Sequence, residues 1–175
     1  MKKKTLALVL ALTLLVAGVV GGTLAWLTDR TAEVKNTFTV GDINIGLTET
    51  TADYKMVPGN TIAKDPTVTV KANSEACWLF VKVTESTDLK DFITYTIANG
   101  WTKLQDGVYY REVPASAADQ TFSVLTGNTV TVNNTVTKTM LETAKTDAPT
   151  LTFQAYAIQK DHFATADAAW AEVSK

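Results

Sequence analysis

The sequence predicts an all-β fold, a sandwich or barrel of short strands with a short C-terminal helix, carried behind an N-terminal export signal. Three observations predict it. Residues 26–175 contain 27 threonines, and this β-branched residue suits a pleated, half-exposed surface. Apolar and polar residues alternate in several short runs. Turn-forming pairs such as Asn99-Gly100 and Asp106-Gly107 separate those runs at short spacing.

Composition narrows the function. A length of 175 residues suggests one domain with a targeting segment. The chain is 46% hydrophobic and 19% charged, which argues against a disordered chain. The net charge of −2 offers no basic excess for phosphates, so no nucleic-acid partner is expected. One cysteine, Cys77, excludes an internal disulfide framework and a Cys-rich zinc site. One histidine, His162, makes most metal and acid–base enzymes hard to build.

Residues 1–25 read as a signal peptide. Lys2, Lys3 and Lys4 form a positive cluster, and Thr5 to Val20 follow without a charge. Gly21 and Gly22 break the run, and Thr23-Leu24-Ala25 puts small residues three before and one before a cut ahead of Trp26. An uncleaved signal would anchor the chain, since Thr5 to Leu27 reaches the about 20 residues a span needs; a membrane contact is expected only in that form. No cysteine stands at the exit to take a lipid. Losing three lysines leaves residues 26–175 at a net charge of −5.

Strands follow in order. Asn36 to Val40 places Phe38 and Val40 on one face, and Asp42 to Leu47 places Ile43, Ile45 and Leu47 inward. Thr67 to Val70 repeats the alternation after Pro66, which holds the residue before it extended. Cys77 to Thr84 is apolar on both faces at its start, as a central strand should be, with Cys77, Leu79, Val81 and Val83 together. Cys77 is expected in the core as a small hydrophobe. Phe92 to Ile97, Val108 to Val113, Thr129 to Val132 and Leu151 to Ile158 complete about eight strands. Pro58-Gly59-Asn60 and Gly127-Asn128 supply further turns. Phe163, Ala166, Trp170 and Val173 recur at helical spacing, with Thr165 as N-cap and Asp167 in the first turn. A second short helix is expected near Thr139 to Lys145.

Catalytic chemistry finds little footing. A zinc protease needs paired histidines one helical turn apart with a glutamate between them, and His162 stands alone. A carboxylate-only calcium site stays open, with Asp29, Glu33, Asp42 and Glu49 as its candidates, but they are scattered, no loop shows alternating acidic ligands, and surface solvation is the weightier expectation. No motif identifies a serine triad. Neither catalytic residues, nor a cofactor, nor a metal is therefore expected. Trp101, Tyr109 and Tyr110 flank the Asp106-Gly107 hairpin. Exposed, they could stack on a sugar ring; cross-strand packing in the hairpin is the weightier expectation.

Several segments carry a family resemblance: Gly21 to Asp29 followed by Asn36 to Ile43, the Met56 to Ile62 turn, Ala72-Asn73-Ser74 ahead of Trp78 to Val83, Gly100-Trp101, Asp106 to Tyr110, and Phe153 to Gln159 with Ala168 to Trp170. Together they resemble the TasA/camelysin group of secreted Gram-positive proteins, over most of the chain. The resemblance implies a jelly-roll-like antiparallel β-sandwich behind a signal helix and export through a SipW-type signal peptidase. It further implies a place in the biofilm matrix or on the cell surface as a fibre subunit, self-associating or joined to sister subunits. It also carries a metallo-endopeptidase label, against which the lone His162 speaks. A physical route to fibres exists. Cleavage after Ala25 frees a segment whose Trp26, Leu27, Val34, Phe38 and Val40 could donate a strand to a neighbour's sheet edge. Head-to-tail addition that does not close gives a filament. Pairing of the Phe38–Val40 portion within its own sandwich is the competing expectation, and a monomeric module binding a glycan or protein is the alternative function.

Overall fold

The computed structural model describes residues 42–50 and 55–175. The signal segment 1–25, its exit at Thr23, Ala25 and Trp26, the Asn36–Val40 strand and the donor residues Trp26, Leu27, Val34, Phe38 and Val40 lie outside them. The described chain is mostly antiparallel β-sheet with a short C-terminal helix.

Ten strands are described: β1 Ile45–Thr48, β2 Thr61–Ala63, β3 Thr67–Val70, β4 Cys77–Glu85, β5 Ile93–Thr94, β6 Thr102–Gln105, β7 Val108–Val113, β8 Gln120–Ser123, β9 Thr129–Val132 and β10 Leu151–Gln159. Three short helices accompany them: α1 Leu89–Phe92, α2 Lys138–Ala144 and α3 Ala166–Val173. One layer is the four-stranded sheet β10-β4-β7-β6, every pair antiparallel. The sheets β1-β3-β8 and β2-β9-β5 make the other layer. They are two halves of one bent ribbon. Lys64 N–H donates to Asn128 O at 2.8 Å and Val124 N–H to Pro66 O at 2.9 Å across the bend. Pro66 has no N–H to give the ladder, and Gly127 and Asn128, at φ of 64° and 53°, turn the facing strand at the same level.

The central strand β4 organises the packing. Cys77, Leu79, Val81 and Val83 face the second layer and meet Val68, Val70, Val130 and Val132 there in one core. Trp78 and Phe80 point the other way, towards α3. Phe80 and Trp170 rings lie 5.3 Å apart, and Tyr156 meets Trp170 edge-on at 5.1 Å. Such pairs add about 0.5–1.5 kcal/mol beyond area burial. Trp78 Nε1 donates to Phe163 O at 3.0 Å, which fixes the chain entering the helix. Thr165 caps α3 by accepting from the Ala168 N–H, and Thr137 does the same for Met140 in α2. The β6–β7 hairpin turns at Gly107 (φ 70°), where a Cβ would stand 2.6 Å from the Val83 carbonyl oxygen; only glycine fits there.

Three expectations change. Phe92 does not begin a strand: Leu89–Phe92 forms a helical turn that buries both its ends, and β5 shrinks to Ile93–Thr94 with an Ile97–Leu125 bridge beyond it. Leu47 is not inward. It is 37% exposed, although Ile43 and Ile45 pack on the core, because no described strand lies outside β1 to cover it. Strands β2, β6 and β8 escape a reading by apolar alternation, since each carries a single large apolar residue and all are at most four residues long.

Candidate functional site

The aromatic platform does not form. Trp101 is 9% exposed and belongs to the core. Its indole N–H donates to Ser123 O at 2.9 Å, and the Arg111 guanidinium lies 5.3 Å from its ring. Tyr109 and Tyr110 are consecutive in β7 and so point to opposite faces. Tyr109 packs on the inter-layer core, while Tyr110 packs on the α3 side, 5.8 Å from Trp78. Cross-strand and cross-layer packing uses all three, and no sugar-sized face is shared among them.

Cys77 is fully buried, and burial pushes its thiol up to about 11. A thiol so placed is a core hydrophobe and a poor nucleophile. His162 sits in a short 3-10 turn after β10. Among the described residues no three His, Cys, Asp or Glu side chains gather as a metal site, and no helix is long and apolar enough to cross a membrane.

What the described fold does present is sheet edge. In an antiparallel ladder, alternate residues turn their N–H and C=O groups towards the partner strand and the rest turn them away. Lys160 N–H donates to Ala76 O and Ser86 N–H to Thr150 O at the two ends of the β10–β4 register. The even-numbered residues of β10 therefore bond β4. Leu151, Phe153, Ala155, Ala157 and Gln159 turn their backbone groups outward. The same logic on β1, where Lys71 N–H donates to Asn44 O, turns Ile45 and Leu47 outward. β1 lies beside β10 across the layers, so both outward rows border one flank. Inner-face side chains of β10 are small there, Ala155 and Ala157 following Phe153, which leaves room between the layers. At the Thr48 end of β1, Lys64 Nζ pairs with Glu49 at 2.6 Å and lies 5.5 Å from the Phe153 ring. A cleft of about 440 Å³ opens near this end, between Met56, Ile62, Leu89, Val130 and Leu151.

The opposite flank is filled. β6 is short, carries a bulge between Lys103 and Gln105, and bears the Lys103–Asp106 ion pair at 2.7 Å, all devices that blunt an edge. The outward carbonyl of Ser123 in β8 is taken by Trp101. Ile93 gives its N–H to Leu89 O, closing α1. Tyr95 donates its hydroxyl to Glu85, and burial first, then this carboxylate, pushes the phenol above its ordinary range.

No family model, no curated protein and no solved structure matches this chain. Sequence reasoning named a strand donor but no acceptor. The signal for the acceptor is the nine-residue run Leu151–Gln159, whose length and small inner residues are visible in the sequence; its place at the edge of the sheet is not.

Proposed function

We propose that this protein is a secreted structural subunit of the TasA/camelysin type that assembles by strand addition into a biofilm-matrix or cell-surface fibre. The observation that carries the reading is the β1/β10 flank: an uninterrupted outward row from Leu151 to Gln159 faces exposed Leu47, beside a core with small side chains. A SipW-type peptidase cuts after Ala25, and the freed segment from Trp26 to Val40 supplies the added strand. In this reading the donated Phe38 and Val40 enter the neighbour's core, and the neighbour's backbone groups at Phe153, Ala155 and Ala157 give the ladder. Strand connectivity is of the jelly-roll kind. The protein acts by contact, without catalysis, at the surface of a Gram-positive cell or in its matrix.

Asp42 O accepts from Glu75 N–H at 3.1 Å, one residue from Ala76, which bonds Lys160 at the end of β10. Electron microscopy of purified residues 26–175 across concentration and pH tests the reading. Filaments are expected; persistent monomer would overturn it.

A further inference from the structure

The filled flank holds a second feature of its own, independent of strand addition. Ala98 to Trp101 form a turn in which Asn99 and Gly100 are exposed and Gly100 takes φ 90°. Trp101 N–H reaches back to Ala98 O, and among the described residues the Gly100 N–H finds no acceptor. Against this turn stands Arg111, whose Nη2 is 3.0 Å from the point where a Gly100 Cβ would be. The guanidinium is 3.9 Å from the Phe122 ring centre and 5.3 Å from that of Trp101. No carboxylate pairs with it among the described residues, and its buried Nε has no partner. An uncompensated cation is therefore held by aromatic packing beside a free glycine amide that follows an exposed asparagine.

We propose that Asn99-Gly100 is a self-modification site at which the Arg111 cation speeds deamidation of Asn99 to aspartate and isoaspartate. The Gly100 N–H loses its proton to solvent base. The resulting amide anion attacks Cγ of Asn99, and the Cγ–Nδ2 bond breaks to release ammonia. The succinimide so formed takes up one water. Opening at Cγ restores a normal backbone with aspartate; opening at the Asn99 backbone carbonyl routes the chain through Cγ as isoaspartate. Net, the side-chain amide and water become a carboxylate and ammonia, with no redox partner. Glycine matters twice: it leaves the nitrogen unhindered, and it alone accepts this φ beside Arg111. The cation matters because opposite charge within about 4–6 Å favours the ionised form of its neighbour, here the attacking amide anion. The product sets a carboxylate next to the described arginine that lacks one. Its Cα is about 3.8 Å from that of Gly100, so the new charge is born within reach of the guanidinium.

Peptide mass spectrometry after ageing residues 26–175 in ¹⁸O-water at neutral pH reads the step directly, as label in the 91–103 tryptic fragment. The same peptide, free in solution, is the reference. Native protein is expected to take up label faster than the peptide. Arg111→Gln is expected to slow it about tenfold, the equivalent of one pKa unit on the amide, and to move the rate–pH profile to higher pH by that unit. Arg111→Lys keeps the cation and should keep most of the rate. Near-UV circular dichroism of the tryptophans reports whether each variant retains the fold, and the native-versus-peptide comparison needs no variant. Asn99 intact in native protein when the free peptide has converted would overturn the proposal. So would an unchanged rate and pH profile in a folded Arg111→Gln.

Discussion

The two flanks of the sandwich are closed by different means. On the β6/β8 flank, Trp101, Arg111 and Phe122 stack between the layers, Trp101 takes the outward Ser123 carbonyl, and a bulge with Lys103 blunts β6. On the β1/β10 flank no described residue bonds the outward backbone of Phe153, Ala155 and Ala157, and Leu47 stands 37% exposed. A row of this length left without a partner strand is an association hazard that folded proteins usually blunt. The contrast teaches that edge protection on the β6/β8 flank is local and side-chain built, and that the described residues supply none of it on the β1/β10 flank.

The largest expected effect removes what both flanks share. Leu79 is fully buried in the central strand, and Leu79→Ala should cost about 4 kcal/mol in urea unfolding, through lost burial and a cavity. Trp170→Ala strips the cover from Phe80 and Tyr156 on the outer face and should cost about 3 kcal/mol. Neither change should distinguish the flanks. Ala155→Pro should. Its N–H points away from β4, so proline deletes an acceptor-edge donor without breaking the β10–β4 ladder. Assembly should be lost by light scattering, while monomer stability falls by about 1 kcal/mol. The mirror experiment is Lys103→Val on the guarded edge. Stability should change by no more than about 0.5 kcal/mol, and sedimentation should show new association through β6.

Acid should loosen the loops that tie β1 and β8 into their sheet. Hydrogen bonds from the Thr50 side chain and backbone hold the Asp65 carboxyl below its ordinary value of 3.8, and the Ala72 N–H and Lys71 do so for Asp119. A depressed pKa contributes stability that is present above the unfolded value and lost as pH falls through the folded one. Unfolding midpoints should therefore drop below about pH 4, and Asp65→Asn with Asp119→Asn should flatten that drop.

Much of this architecture is legible in the chain itself. The Cys77–Glu85 strand, the capped α3 helix and the Gly59, Gly100 and Gly107 turns follow from alternation, capping chemistry and positive φ. Leu89–Phe92 was not legible as a helix, because its apolar residues serve a four-residue turn and an extended run equally well. The aromatic trio misleads for a related reason: Tyr109 and Tyr110 look like one cluster in sequence, yet a strand sends neighbours to opposite faces. Which strand ends at an edge depends on long-range pairing, and short strands of similar composition do not announce their partners. The acceptor row on β10 belongs to that class.

Amide hydrogen exchange of assembled against monomeric residues 26–175 tests strand addition most directly. The account predicts that the Phe153, Ala155 and Ala157 amides exchange fast in monomer and become protected on assembly. Assemblies in which those three amides stay as open as in the monomer would contradict it.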